Sequence, residues 1–175
     1  MMALDFRAQM FGGNKRKINN RPIIEAVLHD PTRVDELFEC VKDDDAYVRM
    51  RASDALEKVC RANASIVQPL KTRVLNEMSA IDQPSVQWHY AQIVDQLQFT
   101  PQETAKVMSK LQANFEKYDD WITRNITMEV LGHFALQDEA LRAYLVPKLE
   151  ELTKERRVSL STRACKILKQ LESRS

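Results

Sequence analysis

A chain of 175 residues with 44% hydrophobic and 29% charged side chains can bury a core of its own, and that balance excludes a disordered polymer. No apolar run approaches the roughly 20 residues that cross a bilayer, and Met1 to Phe11, interrupted by Asp5 and Arg7, lacks the unbroken apolar stretch of a secretory signal, so a cytoplasmic protein is expected. With 26 Lys and Arg against 25 Asp and Glu, the net charge of +1 offers no global attraction for nucleic acid or an anionic membrane.

Residues 1–21 read as a basic N-terminal segment, partly flexible or folded back, in which Asp5 is the sole acid against Arg7, Lys15, Arg16, Lys17 and Arg21. The run Lys15-Arg16-Lys17 can contact phosphates, although a solvated linker is the commoner fate of such a stretch. Leu4, Phe6, Met10 and Phe11 are too apolar to be left in water, so the segment is expected to fold back onto the first helices or to meet a partner. Next come a short helix carrying Ile23, Ile24, Val27 and Leu28, and a helix from Pro31 to about Lys42, started by Asp30, with Leu37 and Val41 apolar. Together they form an incomplete leading repeat at the start of a domain spanning 22–175.

The clearest repeat begins at Val48. Its apolar positions 0, +4, +7, +8 and +11 are Val48, Ala52, Ala55, Leu56 and Val59, which at about 100° per residue form a stripe about 100° wide. The same positions recur as Val86, Tyr90, Ile93, Val94 and Leu97, then as Thr123, Thr127, Val130, Leu131 and Phe134, and last as Leu160, Ala164, Ile167, Leu168 and Leu171. Start points at 48, 86, 123 and 160 keep a near-constant spacing that chance patterning would not maintain over four copies. A second helix lies between successive copies: Leu70, Val74 and Met78 correspond to Val107, Leu111 and Phe115, then to Leu145, Leu149 and Leu152. Pro84 and Pro101 mark first helical turns, and Thr100 with Glu103 makes a capping box. Asp44, Asp82 and Asp119 share one repeat position where a carboxylate can cap the first turn, and Arg156 replaces them in the fourth copy. Leu160 to Ser173, with no partner helix after it, should carry Arg163, Lys166, Lys169 and Gln170 on a polar outer face.

Two antiparallel helices in about 37 residues, an aspartate in the loop before the first, and Val48-Arg49 followed by Ala52, Ala55 and Leu56 resemble the HEAT-repeat superfamily, within the armadillo-like α-solenoids, over roughly residues 31–173. The resemblance implies an all-α fold, a short right-handed α-solenoid of about four helix pairs. It also implies a hydrogen-bond ladder between neighbouring repeats, from Asp44 to Arg49 and from Asp119 to Arg124, with Asp82 in the equivalent loop. Gln87 and Ser161 replace the arginine in the second and fourth copies, which interrupts that ladder.

Chemistry-bearing motifs are few. Three glycines, Gly12, Gly13 and Gly132, cannot build a phosphate-cradling loop, and no Asn-Gly or Asp-Gly turn signals a hairpin. Cys40, Cys60 and Cys165, odd in number and widely spaced, read as small buried thiols, and His29, His89 and His133 have no second ligand at metal spacing. No catalytic residue, cofactor or metal is therefore expected. Trp88, at +2 opposite the apolar stripe, is the one aromatic out of place; its counterparts are Met50, Asn125 and Thr162. It is either an anchor for a partner or a residue wedged between repeats. Trp121 reads as closing the core over a helix start. Second-helix charges are mixed, with Lys71 and Lys110 as candidate contacts and no continuous basic stripe, which favours a protein partner over a duplex. The expected function is a non-catalytic protein-binding scaffold or adaptor, a monomer or weak homodimer. The alternative is a nucleic-acid-binding protein related to the HEAT-like alkylpurine DNA glycosylases, prompted by Trp88, Trp121 and Asp120; a lyase-like or chaperone role of the bilin-lyase kind is a third.

Overall fold

Capping chemistry sets where the helices begin. The Thr100 N–H donates to Glu103 Oε2 at 2.8 Å and the Glu103 N–H donates to Thr100 Oγ1 at 3.3 Å, closing the expected box. Pro84 and Pro101 are first helical residues, where a missing N–H costs nothing. The computed structural model describes residues 4–11 and 19–173, and among these the chain is helical with no β-strand. It divides into two compact units, Met1–Gln98 and Phe99–Ser175.

The first unit contains α1 (Phe6–Met10), α2 (Arg21–His29), α3 (Val34–Val41), α4 (Ala46–Ala62), α5 (Ala64–Val67), α6 (Lys71–Asn76) and α7 (Pro84–Val94). Its centre is α4, on which α1, α2, α3, α5 and α7 all pack. On α1, Phe6 and Met10 are fully buried, while Phe11, just after it, stays 56% exposed. Arginines hold α1 down, with the Arg33 guanidinium 4.0 Å over the Phe6 ring, Arg51 Nη1 donating to the Met10 carbonyl, and Arg7 paired with Asp43 at 2.6 Å. The second helix expected through Leu70 and Met78 is broken into α5, a 3-10 turn at Gln68–Leu70, α6 and a 3-10 turn at Met78–Ala80. Pro69 accounts for the break after α5, because it cannot donate to the preceding turn. Leu70, Val74 and Met78 are buried all the same, so packing outlasts the loss of helical regularity.

The second unit contains α8 (Pro101–Lys117), α9 (Trp121–Ala135), α10 (Glu139–Leu152) and α11 (Val158–Glu172). Here α9 is central, against α8, α10 and α11. Gly132 lets α11 come close: a Cβ placed there would lie 2.7 Å from Ile167 Cγ2. Pro147 sits inside α10 without ending it.

Of the twenty first-helix repeat positions, only Phe134 and Leu168 escape full burial, and all nine second-helix positions are buried. Three expectations need correction. The caps of α4 and α9 are Asp45 and Asp120, one residue after Asp44 and Asp119; Asp45 Oδ1 accepts from Tyr47 and Val48, and Asp120 Oδ1 from Ile122 and Thr123. The chain enters each helix one residue later than the pattern implied, and Gln83, at the same place before α7, makes no side-chain cap. Cys165 is exposed on α11, whereas Cys40 and Cys60 are buried as expected. Trp121 does not close the core: it is 42% exposed, with the Arg157 guanidinium 5.3 Å from its ring.

Candidate partner-binding surface

Trp88 lies on α7, the helix packed beside α4, and is half-buried rather than projecting freely. Its ring meets His89 edge to face, with centroids 5.4 Å apart and planes at 68°. His89 is buried and its pKa is pulled down to about 4, chiefly because burial disfavours the charged ring. Asp54 and a hydrogen bond with Gln92 oppose that fall, while Lys58 and Arg61 add to it. Asp54 is itself engaged, accepting from Lys58 Nζ at 2.7 Å and from Asn20 Nδ2 at 2.6 Å. Glu57, almost wholly buried, pairs with Arg61 one turn on. This neighbourhood is thus an apolar ring beside a largely neutralised polar seam along α4. It suits docking of a side chain better than proton transfer.

The other sequence candidates are dispersed. Lys71 opens α6 and lines a shallow groove of about 510 Å³ with Gln68 and Gln98, in the same unit as Trp88. Lys110 lies on α8 in the second unit, and Lys15, Arg16 and Lys17 fall outside the described residues. Within unit 1, Arg73 of α6 bonds Glu77, Asp35 and Glu39, and Lys42 bonds Glu39 and Glu77. Glu77 is consequently held down to about 2 by its bonds to Arg73 and Lys42. In unit 2, Glu116 of α8 accepts from Tyr144 at 2.6 Å and pairs with Lys148 at 2.7 Å on α10, and Arg163 of α11 pairs with Glu129 of α9. These charges tie neighbouring helices to one another.

Arg49 and Gln87 bond main-chain carbonyls rather than aspartate side chains. Arg49 donates to the main-chain carbonyls of Asp43 at 2.7 Å and Asp44 at 3.0 Å, and through Nε to Gln83 Oε1 at 2.7 Å, before α7. Gln83 returns a bond from Nε2 to the Ala46 carbonyl at 2.9 Å. In the next copy the buried Gln87 amide donates to the carbonyls of Ile81 at 2.6 Å, Met78 at 3.2 Å and Ser79 at 3.3 Å. The residue at +1 thus satisfies the carbonyls that end the preceding segment in both copies. Arg124 instead lies 5.7 Å over the Phe115 ring.

Burial pushes the Cys40 thiol up to about 11 and the Cys60 thiol up to about 12, so neither is a thiolate at neutral pH. No group of His, Cys, Asp and Glu among the described residues is placed to hold a metal ion, and no described helix is long and apolar enough to cross a membrane. Compared with protein-family models, with curated proteins and with solved structures, the chain gives no significant match.

Proposed function

We propose that this chain is a non-catalytic scaffold or adaptor that holds a protein partner on a short right-handed α-solenoid of HEAT-like helix pairs. The pairing of equivalent helices carries the reading: α4 lies beside α7 in the first unit and α9 beside α11 in the second, with the periodic positions buried in both. Ties between helices that are not consecutive, Arg73 of α6 to Asp35 and Glu39 of α3 in one unit and Glu116 of α8 to Lys148 of α10 in the other, fit stacked pairs. Helix pairs stacked within a unit offer a surface for a partner, and Trp88 supplies the partly exposed aromatic on which binding energy concentrates.

The test uses the full chain as bait in its source cell, with bound proteins quantified against the bait. A protein recovered in stoichiometric amount, and lost about tenfold or more with Trp88→Ala at unchanged thermal stability, is expected. Repeated recovery of no stoichiometric protein overturns the scaffold reading, as does salt-sensitive duplex binding near physiological ionic strength. Full retention of the partner by Trp88→Ala removes Trp88 as the anchor.

A further inference from the structure

The last described helix, α11, packs on α9 and α10 through Leu160, Ala164, Ile167 and Leu171, and its other side faces outward. That side presents Thr162, Cys165, Lys166, Lys169 and Gln170, all exposed, and a shallow groove of about 740 Å³ runs along it from Thr153. Residues 153–173 carry six bases against two acids, a local charge of +4. Lys166 and Lys169 have no ion-pair partner among the described residues.

The first unit shows the opposite sign at its leading helices. Residues 30–45 carry seven carboxylates against two bases, a local charge of −5. Glu36, Glu39 and Asp43 line a groove of about 270 Å³ between α1 and α3. Arg7, Arg33, Lys42 and Arg73 neutralise part of this edge, while the exposed Asp44 in the loop after α3 adds to it without an ion-pair partner among the described residues.

We propose that the outer face of α11 in one copy docks against the acidic α3 edge of a second copy, a head-to-tail self-association. Charge selects this pairing, because two basic α11 faces repel one another, as do two acidic α3 edges, and only the mixed contact is attractive. The contact is heterologous, so each added copy leaves one unused face of each sign and the assembly either grows or closes into a ring. It rests on exposed charges and is screened as the Debye length falls from about 10 Å at 0.1 M salt to about 3 Å at 1 M. This inference stands independently of the scaffold reading.

Sedimentation velocity of the full chain, up to about 1 mM, tests it. At low salt the average mass should rise with concentration, and association should weaken at least tenfold, roughly, near 0.5 M salt. The variants Lys166→Glu/Lys169→Glu and Glu36→Lys/Asp44→Lys, each checked for native circular dichroism, should be monomeric alone. Mixed in equal amounts they should associate again, because the intact acidic edge of one variant meets the intact basic face of the other. A wild-type chain that stays monomeric at low salt overturns the proposal. So does association that ignores salt, a single variant that still assembles, or a mixture that remains monomeric.

Discussion

Gly132→Ala tests the helix contact on which the second unit closes. In an isolated helix the change would stabilise by about 1 kcal/mol, the difference in intrinsic propensity. In place, the new methyl would sit 2.7 Å from Ile167 Cγ2, and Ile167 is only 2% exposed. That methyl branches directly from Cβ, and a β-branched residue in a helix has one strongly preferred χ1 rotamer, so Ile167 cannot swing it aside. Relief must come from moving α11 off α9, and overpacking of this kind costs about 1 to 3 kcal/mol. The net expectation is a loss of about 1 kcal/mol, read by urea denaturation followed through helical circular dichroism. Ile167→Ala alone should cost about 2 to 5 kcal/mol by leaving a cavity. Combined with Gly132→Ala it should cost less, with a coupling of about 1 kcal/mol or more, because the clash is already gone. A single Gly132→Ala variant more stable than wild type, or strict additivity in the double variant, would refute the close packing of α9 on α11.

Ala52→Asp places an unpaired carboxylate in the centre of α4, where Ala52 is fully buried, and should cost several kcal/mol, read as a large fall in melting temperature. Asp120→Ala should cost about 1 kcal/mol by removing the α9 cap, while Asp119→Ala should fall within about 0.5 kcal/mol of wild type; a reversed order would restore the earlier cap position. The His89 imidazole is held at about 4 against an ordinary 6.5, so its contribution is complete above pH 6.5 and is lost as pH falls toward 4, about 3 kcal/mol in all at 1.36 kcal/mol per unit. His89→Gln should flatten that part of the stability-pH curve, and an unchanged curve would mean the ring is solvated.

Helical periodicity was legible because it is imposed by burial, the largest force in folding. Val48, Val86, Thr123 and Leu160 lie in equivalent places because each must leave water on the same side of its helix, and every one is buried. Burial of Phe6 and Met10 obeys the same reasoning. The broken helix around Pro69 was not predicted. The apolar spacing of Leu70, Val74 and Met78 survives the break, so periodicity alone could not register it, although the proline was visible in the chain.

Polar burial was far less legible, for a reason that Gln87 makes concrete. Aspartate and arginine spacing directs attention to charge, and on that basis a glutamine at +1 reads as a missing rung. What the fold requires there is a donor long enough to reach the carbonyls that end the preceding segment, and an amide meets that need as a guanidinium does. Arg49 reaches the Asp43 carbonyl six residues back, and Gln87 reaches the Ile81 carbonyl six residues back. Ser161, at the same position in the last copy, is too short: its hydroxyl donates to the Val158 carbonyl three residues away, within its own helix. Donor reach rather than charge is therefore the property that unites Arg49 with Gln87 and separates both from Ser161. The same distinction explains why His89 could not be placed from sequence. A wheel position records which side a residue occupies, whereas the state of a buried imidazole depends on Asp54, Lys58, Arg61 and Gln92, three of which belong to another helix.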